Sequence, residues 1–553
     1  MPCIPRKEAT SNDRLGDLLD RNIREHPDND AIVYVDRDLR LSWKQWGVEV
    51  DRVAKGLMAM GVQKGEKVAV WATNVPDWIT IMFATAKIGA IMLTINTNYQ
   101  KAELDYVLKQ SDMENLFLIN GVRDTDYVEI VYELVPELRT QPRENFHSET
   151  YPHLKRVVFL GPEKHRGMYS MNELKSLAVS VSDEEYKARQ DTVDVHDVTM
   201  MQYTSGTTGF PKGVMLTHFN IANDGYWLGA NMNYGPEDRL CINVPLFHCF
   251  GCVLGVMACM NHCVTMVFCE VFDPVKVMTS IETERCTSVY GVPTMYINIL
   301  SHKLFPKFDF SSLRTGIMAG SPCPIKAMEE VVEKMNMKEI TIVYGLTEAS
   351  PGMTQTRYDE PSLEKKCSSV GKTLPGIDTV ILDPETYEPC PDGKIGEFCC
   401  KGFNVMKGYY KMPEETAKVI DKNGYLHSGD LGYRDSDGYF YVTGRIKDMI
   451  IRGGENIYPK EVEDFLYHCP GISDVQVVGV PSKKYGEQPG AFIIKEKGSD
   501  LTEQDVLDYC KGKIAWYKTP KYIKFVDDFP LNAAGKIKKF VLREMAHELW
   551  PDA

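Results

Sequence analysis

Val198–Gly213 reads VTMMQYTSGTTGFPKG: an apolar, β-rich run from Val198 to Tyr203 enters a loop of hydroxyls and glycines. Thr204, Ser205, Thr207 and Thr208 surround Gly206 and Gly209, and Lys212 closes the segment. Glycines let backbone N–H groups face an anion, and hydroxyls add donors without adding charge. Gly206 and Lys212 have the spacing of a Walker A loop, but Pro211 replaces its second glycine and Gly213 its magnesium-binding Ser or Thr. The loop can therefore clasp phosphates, while any metal ligand must come from elsewhere. Taken alone, the motif also fits a flexible surface turn.

Around this loop the first 200 residues alternate strand-like and helical runs. Lys67–Trp71 and Arg156–Leu160 read as strands, and the stretch from Ile79 to Ala90 reads as a helix. Such alternation predicts layered, mostly parallel α/β sheets. Gly316–Gly320 reads as a strand ending in GSPCP, and Ile340–Tyr344 as one ending in YGLTEAS. Ligands of open α/β sheets collect at the carboxyl ends of strands. Past residue 370 the pattern turns to hairpins, marked by Asn423-Gly424 and Asp437-Gly438. A boundary is expected at Gly444–Asp448, followed by a small α+β unit with strands at 475–480, 491–495 and 522–526 and a helix at 503–511.

Bulk composition narrows the function. With 553 residues, 43% hydrophobic and 25% charged, the chain has the composition of a multidomain globular protein. A net charge of −14 argues against nucleic acid as a general partner. The first residues, MPCIPRKEATSNDR, lack an apolar run, and the stretch from Gly251 to Phe268 is broken by Asn261-His262. A cytoplasmic protein with no transmembrane segment is expected. The fifteen cysteines are scattered, and Cys249 and Cys252 are read as buried free thiols.

Several residues carry candidate chemistry. Glu348 in Tyr344-Gly-Leu-Thr-Glu348 is a hard oxygen ligand suited to magnesium, Thr347 can reach a phosphate oxygen, and Tyr344 can lie against a purine. The same residues also fit a strand end and helix start. If Asp437-Gly438 is a two-residue turn, Ser436 faces Tyr439 and Asp430 faces Arg445. Asp430 could then accept bonds from vicinal ribose hydroxyls with Arg445 beside it, although a cross-strand salt bridge explains that spacing first. Lys511–Lys524 holds five lysines and no acid, a basic face that suits a polyphosphate or simply solvent.

In chain order, YTSGTTGFPKG, PLFHCFG, YGLTEAS, HSGDLGYRDSDGYFYVTGRIKDMIIRGGENIYP and PLNAAGKIKK resemble the adenylate-forming superfamily of acyl-CoA synthetases, luciferases and peptide-synthetase adenylation domains. The resemblance covers nearly the whole chain. ERCTSVYGVPTMY, AGSPCP and DMIIRGGENIYP are closest in look to the fatty-acyl branch, notably medium-chain acyl-CoA ligases. It implies a ligase of fatty acid metabolism that makes acyl-AMP from ATP and a fatty acid, then acyl-CoA, with release of AMP and pyrophosphate. A carrier-protein-loading or aryl-CoA enzyme would share the ATP motifs.

By the same resemblance, Lys536 is the catalytic lysine, residues 204–212 hold the β,γ-phosphates and Thr347 touches the α-phosphate. Glu348 holds Mg2+, Asp430 and Arg445 bind ribose, and Gly320, Ser321 and Tyr344 wall the adenine. His248 lies near the acyl carboxylate. Lys447 is the hinge, which divides the chain into an ATP- and acyl-binding domain (1–444), the hinge (445–448) and a mobile cap (449–553). Ala534 departs from the family, which usually has Ser or Thr before Gly-Lys.

Overall fold

The structure, a computed structural model, describes residues 6–204, 211–321, 323–452, 455–532 and 535–551. Ser205, Gly206, Thr207, Thr208 and Gly209 of the expected phosphate loop lie outside the described residues, as does Ala534.

Two mostly parallel sheets form the body. The first, eight-stranded among the described residues, is centred on Lys67–Trp71, Ile91–Thr94, Asn115–Leu118 and Val198–Thr204. The second, nine-stranded on the same basis, includes Arg239–Ile242, Thr265–Phe268, Ser288–Gly291, Thr315–Ala319 and Glu339–Gly345. Every residue of Lys67–Trp71 and Thr315–Ala319 is buried, as parallel strands covered on both faces require. Helices Trp43–Ala59, Pro76–Ile88 and His218–Ala230 contribute to a shared core with both sheets. Trp43, Trp46, Val50, Val53 and Leu57 recur at helical spacing on the first of these and are buried, and Ser42 with Gln45 caps its start. The stretch Gly251–Phe268 resolves into a π-helix at Phe250–Met257, an α-helix at Ala258–His262 and the strand Thr265–Phe268.

Lys212–Thr217 forms an antiparallel strand against Val198–Thr204, with Thr204 opposite Lys212. A Walker loop runs from strand to helix; here the loop joins two strands of one hairpin. That topology explains why Pro211 and Gly213 are tolerated where Walker chemistry would forbid them.

A four-stranded antiparallel sheet, Ile377–Leu382, Gly396–Gly402, Leu426–Arg434 and Phe440–Arg445, adds the β-rich subdomain. A short turn, Ile446–Asp448, leads to the small C-terminal α+β domain. Its sheet contains Ile472–Ser482, Gly486–Lys495 and Tyr522–Phe525, with its own apolar core around Val477, Ala491 and Ile493. Among the described residues, no helix is long and apolar enough to cross a membrane.

Candidate active site

Asp430 and Arg445 face each other across the subdomain hairpin. Arg445 Nε lies 2.9 Å from Asp430 Oδ1, and the Tyr344 hydroxyl donates to Asp430 Oδ2 at 2.9 Å. Burial raises the Asp430 carboxyl above its ordinary value, against the opposing pull of Arg445. Two donors on its two oxygens favour the charged form. The pairing matches the spacing argument, but by another route. The outer pairs run Arg434–Phe440 and Tyr433–Tyr441, one residue out of the expected register, and a bulge past Gly432–Val442 restores it. Asp435–Tyr439 therefore makes the turn, rather than Asp437-Gly438 alone.

Tyr344 ends its strand against Phe398, with ring centroids 4.7 Å apart, and the chain then turns through Thr347–Ala349. This turn is pinned from several sides. The backbone N–H of Met406 donates to Glu348 O, and Ser350 Oγ donates to Asn404 O. Asn404 Nδ2 donates to Gly352 O, and Asp224 Oδ2 accepts from Gly352 N at 3.0 Å. Asp224 is fully buried, its Oδ1 has no partner among the described residues, and burial holds its carboxyl well above the usual range. Sequence reading misses Asp224, since an acid on the helix His218–Ala230 ordinarily signals an exposed face.

Glu348 is partly exposed and accepts from the Tyr409 hydroxyl at 2.7 Å through Oε1. Tyr409 also carries the Lys212 ammonium 5.0 Å above its ring. Lys212 pairs with Glu415 at 2.5 Å, so in this state its charge is engaged by a carboxylate. Thr347 is buried, with its hydroxyl 3.6 Å from Cys249 Sγ. Cys249 and Cys252 are both buried free thiols.

His248 precedes the π-helix. Its Nδ1 accepts from Phe250 N at 3.1 Å, which leaves the proton of the neutral ring on Nε2. Burial, helped by the Lys536 charge, pushes its pKa down to about 3, so the ring is neutral at physiological pH. Phe250 stacks on Tyr290 at 5.9 Å, giving an apolar surround.

Lys536 arrives from the C-terminal domain. Its Cε lies 3.2 Å from where a side chain on Gly320 would begin, and Gly320 has φ +92°. Thr294 Oγ1 donates to the neighbouring Gly535 O at 3.3 Å. Burial lowers the Lys536 pKa, with Arg445 adding to that direction and Cys249 and Asp430 opposing it. Its ammonium makes no hydrogen bond or ion pair with a described residue. Ser321 follows Gly320 on the partly exposed rim. Lys447 lies in the linking turn two residues past Arg445, where Arg543 donates to Lys447 O at 3.3 Å and pairs with Asp448 at 2.9 Å.

A buried carboxylate in the body, paired with the exposed Arg445, lies within electrostatic reach of a lysine from a separate domain that pairs with no described residue. The two define a site shared by two domains. The chain belongs to the AMP-binding enzyme family: residues 19–410 match that family, and residues 461–536 match the AMP-binding enzyme C-terminal domain. It is 49% identical over 536 residues to the Bacillus subtilis protein YngI, named for acyl-CoA synthetase, covering 97% of each chain. Over 547 residues it is 36% identical to the mitochondrial medium-chain acyl-CoA ligase ACSF2 of Bos taurus, covering 97% of this chain and 88% of that one. Among solved structures, ATP-bound MatB from Rhodopseudomonas palustris superimposes with a TM-score of 0.82 at 29% identity, covering 98% of this chain and all of that one. The apo form of the same protein superimposes less well, at 0.74.

Proposed function

We propose that this chain is an AMP-forming fatty acid–CoA ligase. It joins a fatty acid to ATP as acyl-AMP with loss of pyrophosphate, then passes the acyl group to CoA with loss of AMP. The observation that carries this reading is Lys536, a partly exposed lysine whose ammonium pairs with no described residue, brought from the small domain to Gly320 and within electrostatic reach of His248 and Asp430. Relatives named for acyl-CoA ligation, matched along nearly their full length, support the choice of CoA as acceptor.

The first step sets an anion against an anion. Two unit charges 4 Å apart repel by about 4 kcal/mol at an effective dielectric of 20. Cations and donors aimed at the developing charge reduce that barrier. In this reading Lys536 bridges the carboxylate and the α-phosphate, Thr347 donates to the α-phosphate, and Asp430 with Arg445 holds the ribose. Gly320, Ser321 and Tyr344 border the adenine. Residues 204–212 retain the β,γ-phosphates, which requires Lys212 to exchange Glu415 for phosphate. Glu348 would hold Mg2+, which supplies charge neutralisation on the phosphate oxygens. Its partial exposure and its hard oxygens, one of them engaged only by a tyrosine hydroxyl, fit such an ion. Neutral His248 offers an Nε2 proton to the acyl carboxylate, and the apolar surround at Phe250 and Tyr290 suits an alkyl chain.

The second step needs room for a thiol where Lys536 stands. We read residues 1–444 as the body, 445–448 as the hinge at Lys447 and 449–553 as the cap. Rotation at the hinge withdraws Lys536 and presents another face of the cap. The better fit to the ATP-bound than to the apo neighbour supports assigning the present arrangement to the adenylating pose.

Replacing Lys536 by alanine tests the central assignment. Acid-dependent pyrophosphate release should fall at least 100-fold, while CoA thioester formation from supplied acyl-AMP is retained. Equal loss of the two half-reactions would exclude Lys536 as the bridge between carboxylate and α-phosphate. The same assay with straight-chain acids from C2 to C18, and with aromatic acids, fixes the acyl class; a preference for aromatic acids would replace the fatty-acyl reading.

A further inference from the structure

Away from the nucleotide cleft, the four-stranded sheet gathers three different metal-ligand types. Glu397 and Cys399 lie two residues apart on Gly396–Gly402, and His427 lies on Leu426–Arg434, directly opposite Cys399. Their ligand atoms fall within 4.8 Å of one another. His427 Nδ1 is 2.8 Å from Glu397 Oε2 and 3.4 Å from Cys399 Sγ. Glu397 and Cys399 are 7% and 0% exposed, and the His427 side chain 12%. An ion pair accounts for the Glu397 carboxylate and the ring, but not for a thiol turned onto the same nitrogen.

We propose that Glu397, Cys399 and His427 form a binding site for one Zn2+-class cation, through Oε2, Sγ and Nδ1, with water as fourth ligand. The donor set selects the ion: thiolate and imidazole suit Zn2+, whereas Mg2+ and Ca2+ take oxygen. One thiolate and one carboxylate balance the two charges of the ion, so binding leaves no net charge in the sheet. Tetrahedral ligands 2.0–2.3 Å from Zn2+ stand roughly 3.3–3.8 Å apart. The Sγ–Nδ1 separation already meets this, and the Glu397 carboxylate must withdraw by about half an ångström.

The surroundings also resemble those of a ligating histidine. The other ring nitrogen, Nε2, faces Asp421 Oδ2 at 3.8 Å, so the ring can carry its proton there once the ion displaces the Nδ1 proton now directed at Glu397 Oε2. Tyr387 meets the ring edge-on at 5.6 Å and is 62% exposed, which leaves a short path from solvent. Glu397 Oε1 is occupied by Gly429 N at 2.9 Å. The residue after Gly429 is Asp430, so the ion would tether the strand that carries the ribose carboxylate.

The test is titration of the chelator-treated full chain with Co2+. One equivalent should produce a thiolate-to-cobalt charge-transfer band, removed by Zn2+ and untouched by excess Mg2+. Cys399→Ser should abolish the band, and Glu397→Gln or His427→Asn should weaken Co2+ binding at least 10-fold. Absence of a stoichiometric band, or its survival in Cys399→Ser, overturns the site. X-ray absorption at the zinc edge of the wild-type chain gives a second answer that needs no variant. One sulfur at about 2.3 Å with nitrogen or oxygen at about 2.0–2.1 Å is expected; a shell without sulfur rejects it.

Discussion

Asp224 and Gly352 show how much of the candidate site depends on a buried atom behind it. The turn bearing Thr347 and Glu348 owes one of its anchors to a carboxyl whose ionisation burial opposes, and its Oδ2 accepts the Gly352 N–H. Asp224→Asn preserves an oxygen acceptor for the Gly352 N–H and should keep adenylation within about 2-fold. Asp224→Ala leaves a buried N–H unpaired, which costs about 1–3 kcal/mol. A turn displaced by about 1 Å can lose on the order of 100-fold in rate. The alanine variant should therefore lose at least 10-fold in adenylation while using supplied acyl-AMP normally. If Asn proves as damaging as Ala, the acceptor role assigned to Asp224 is wrong. None of this was readable in the chain, because Asp224 and Gly352 are 128 residues apart.

Elements show the same division between local and distant information. Strands 67–71 and 315–319 were legible because buried parallel strands are continuous apolar runs. Lys212–Thr217 was not, because glycine, proline and lysine at its start suggest only a loop, and pairing with Val198–Thr204 decides the outcome. The Asp430–Arg445 hairpin lies between these cases: its partners were foreseen, but a shifted turn and a bulge cancelled in reaching them. Turn glycines fix a hairpin's neighbourhood, whereas a bulge depends on packing against the next strand. At the start of helix His218–Ala230, His218 Nδ1 accepts from Leu15 N at 3.3 Å and burial pushes its pKa down to about 4. The unfolded ring titrates near 6.5. His218 therefore contributes stability fully above that pH, and this is lost as pH falls from about 6.5 toward 4. Between pH 7 and pH 5 the loss is about 2 kcal/mol. His218→Asn should reduce the pH dependence of denaturant unfolding by that amount. An unchanged dependence would mean that the ring is already protonated in the folded chain.

For the whole molecule, the two-pose reading ties chemistry to the linking turn. Arg543 grips both Lys447 O and Asp448, so the Lys447 carbonyl and Asp448 should travel with the cap, and the freedom to rotate belongs to the Lys447 backbone torsions and the residues just before it. Lys447→Pro should slow CoA transfer at least 10-fold and leave pyrophosphate release near its original rate. Wild-type rates for both steps would place the pivot elsewhere. The order of the two domains along the chain was visible from motif sequence, but their contact was not, because Thr294 and Gly535 touch across 241 residues.

Gly320 makes that contact sensitive to a single methyl group. A β-carbon there would stand 3.2 Å from both Lys536 Cε and Val292 Cγ1, and at φ +92° any L side chain is also strained. Alanine at 320 would act as a doorstop, holding the lysine short of its target while leaving the withdrawn arrangement open to the thiol. Gly320→Ala should therefore uncouple the enzyme in one direction, with slow adenylation and intact use of preformed acyl-AMP. A variant that adenylates normally would show that the lid has more play than this tight seam allows.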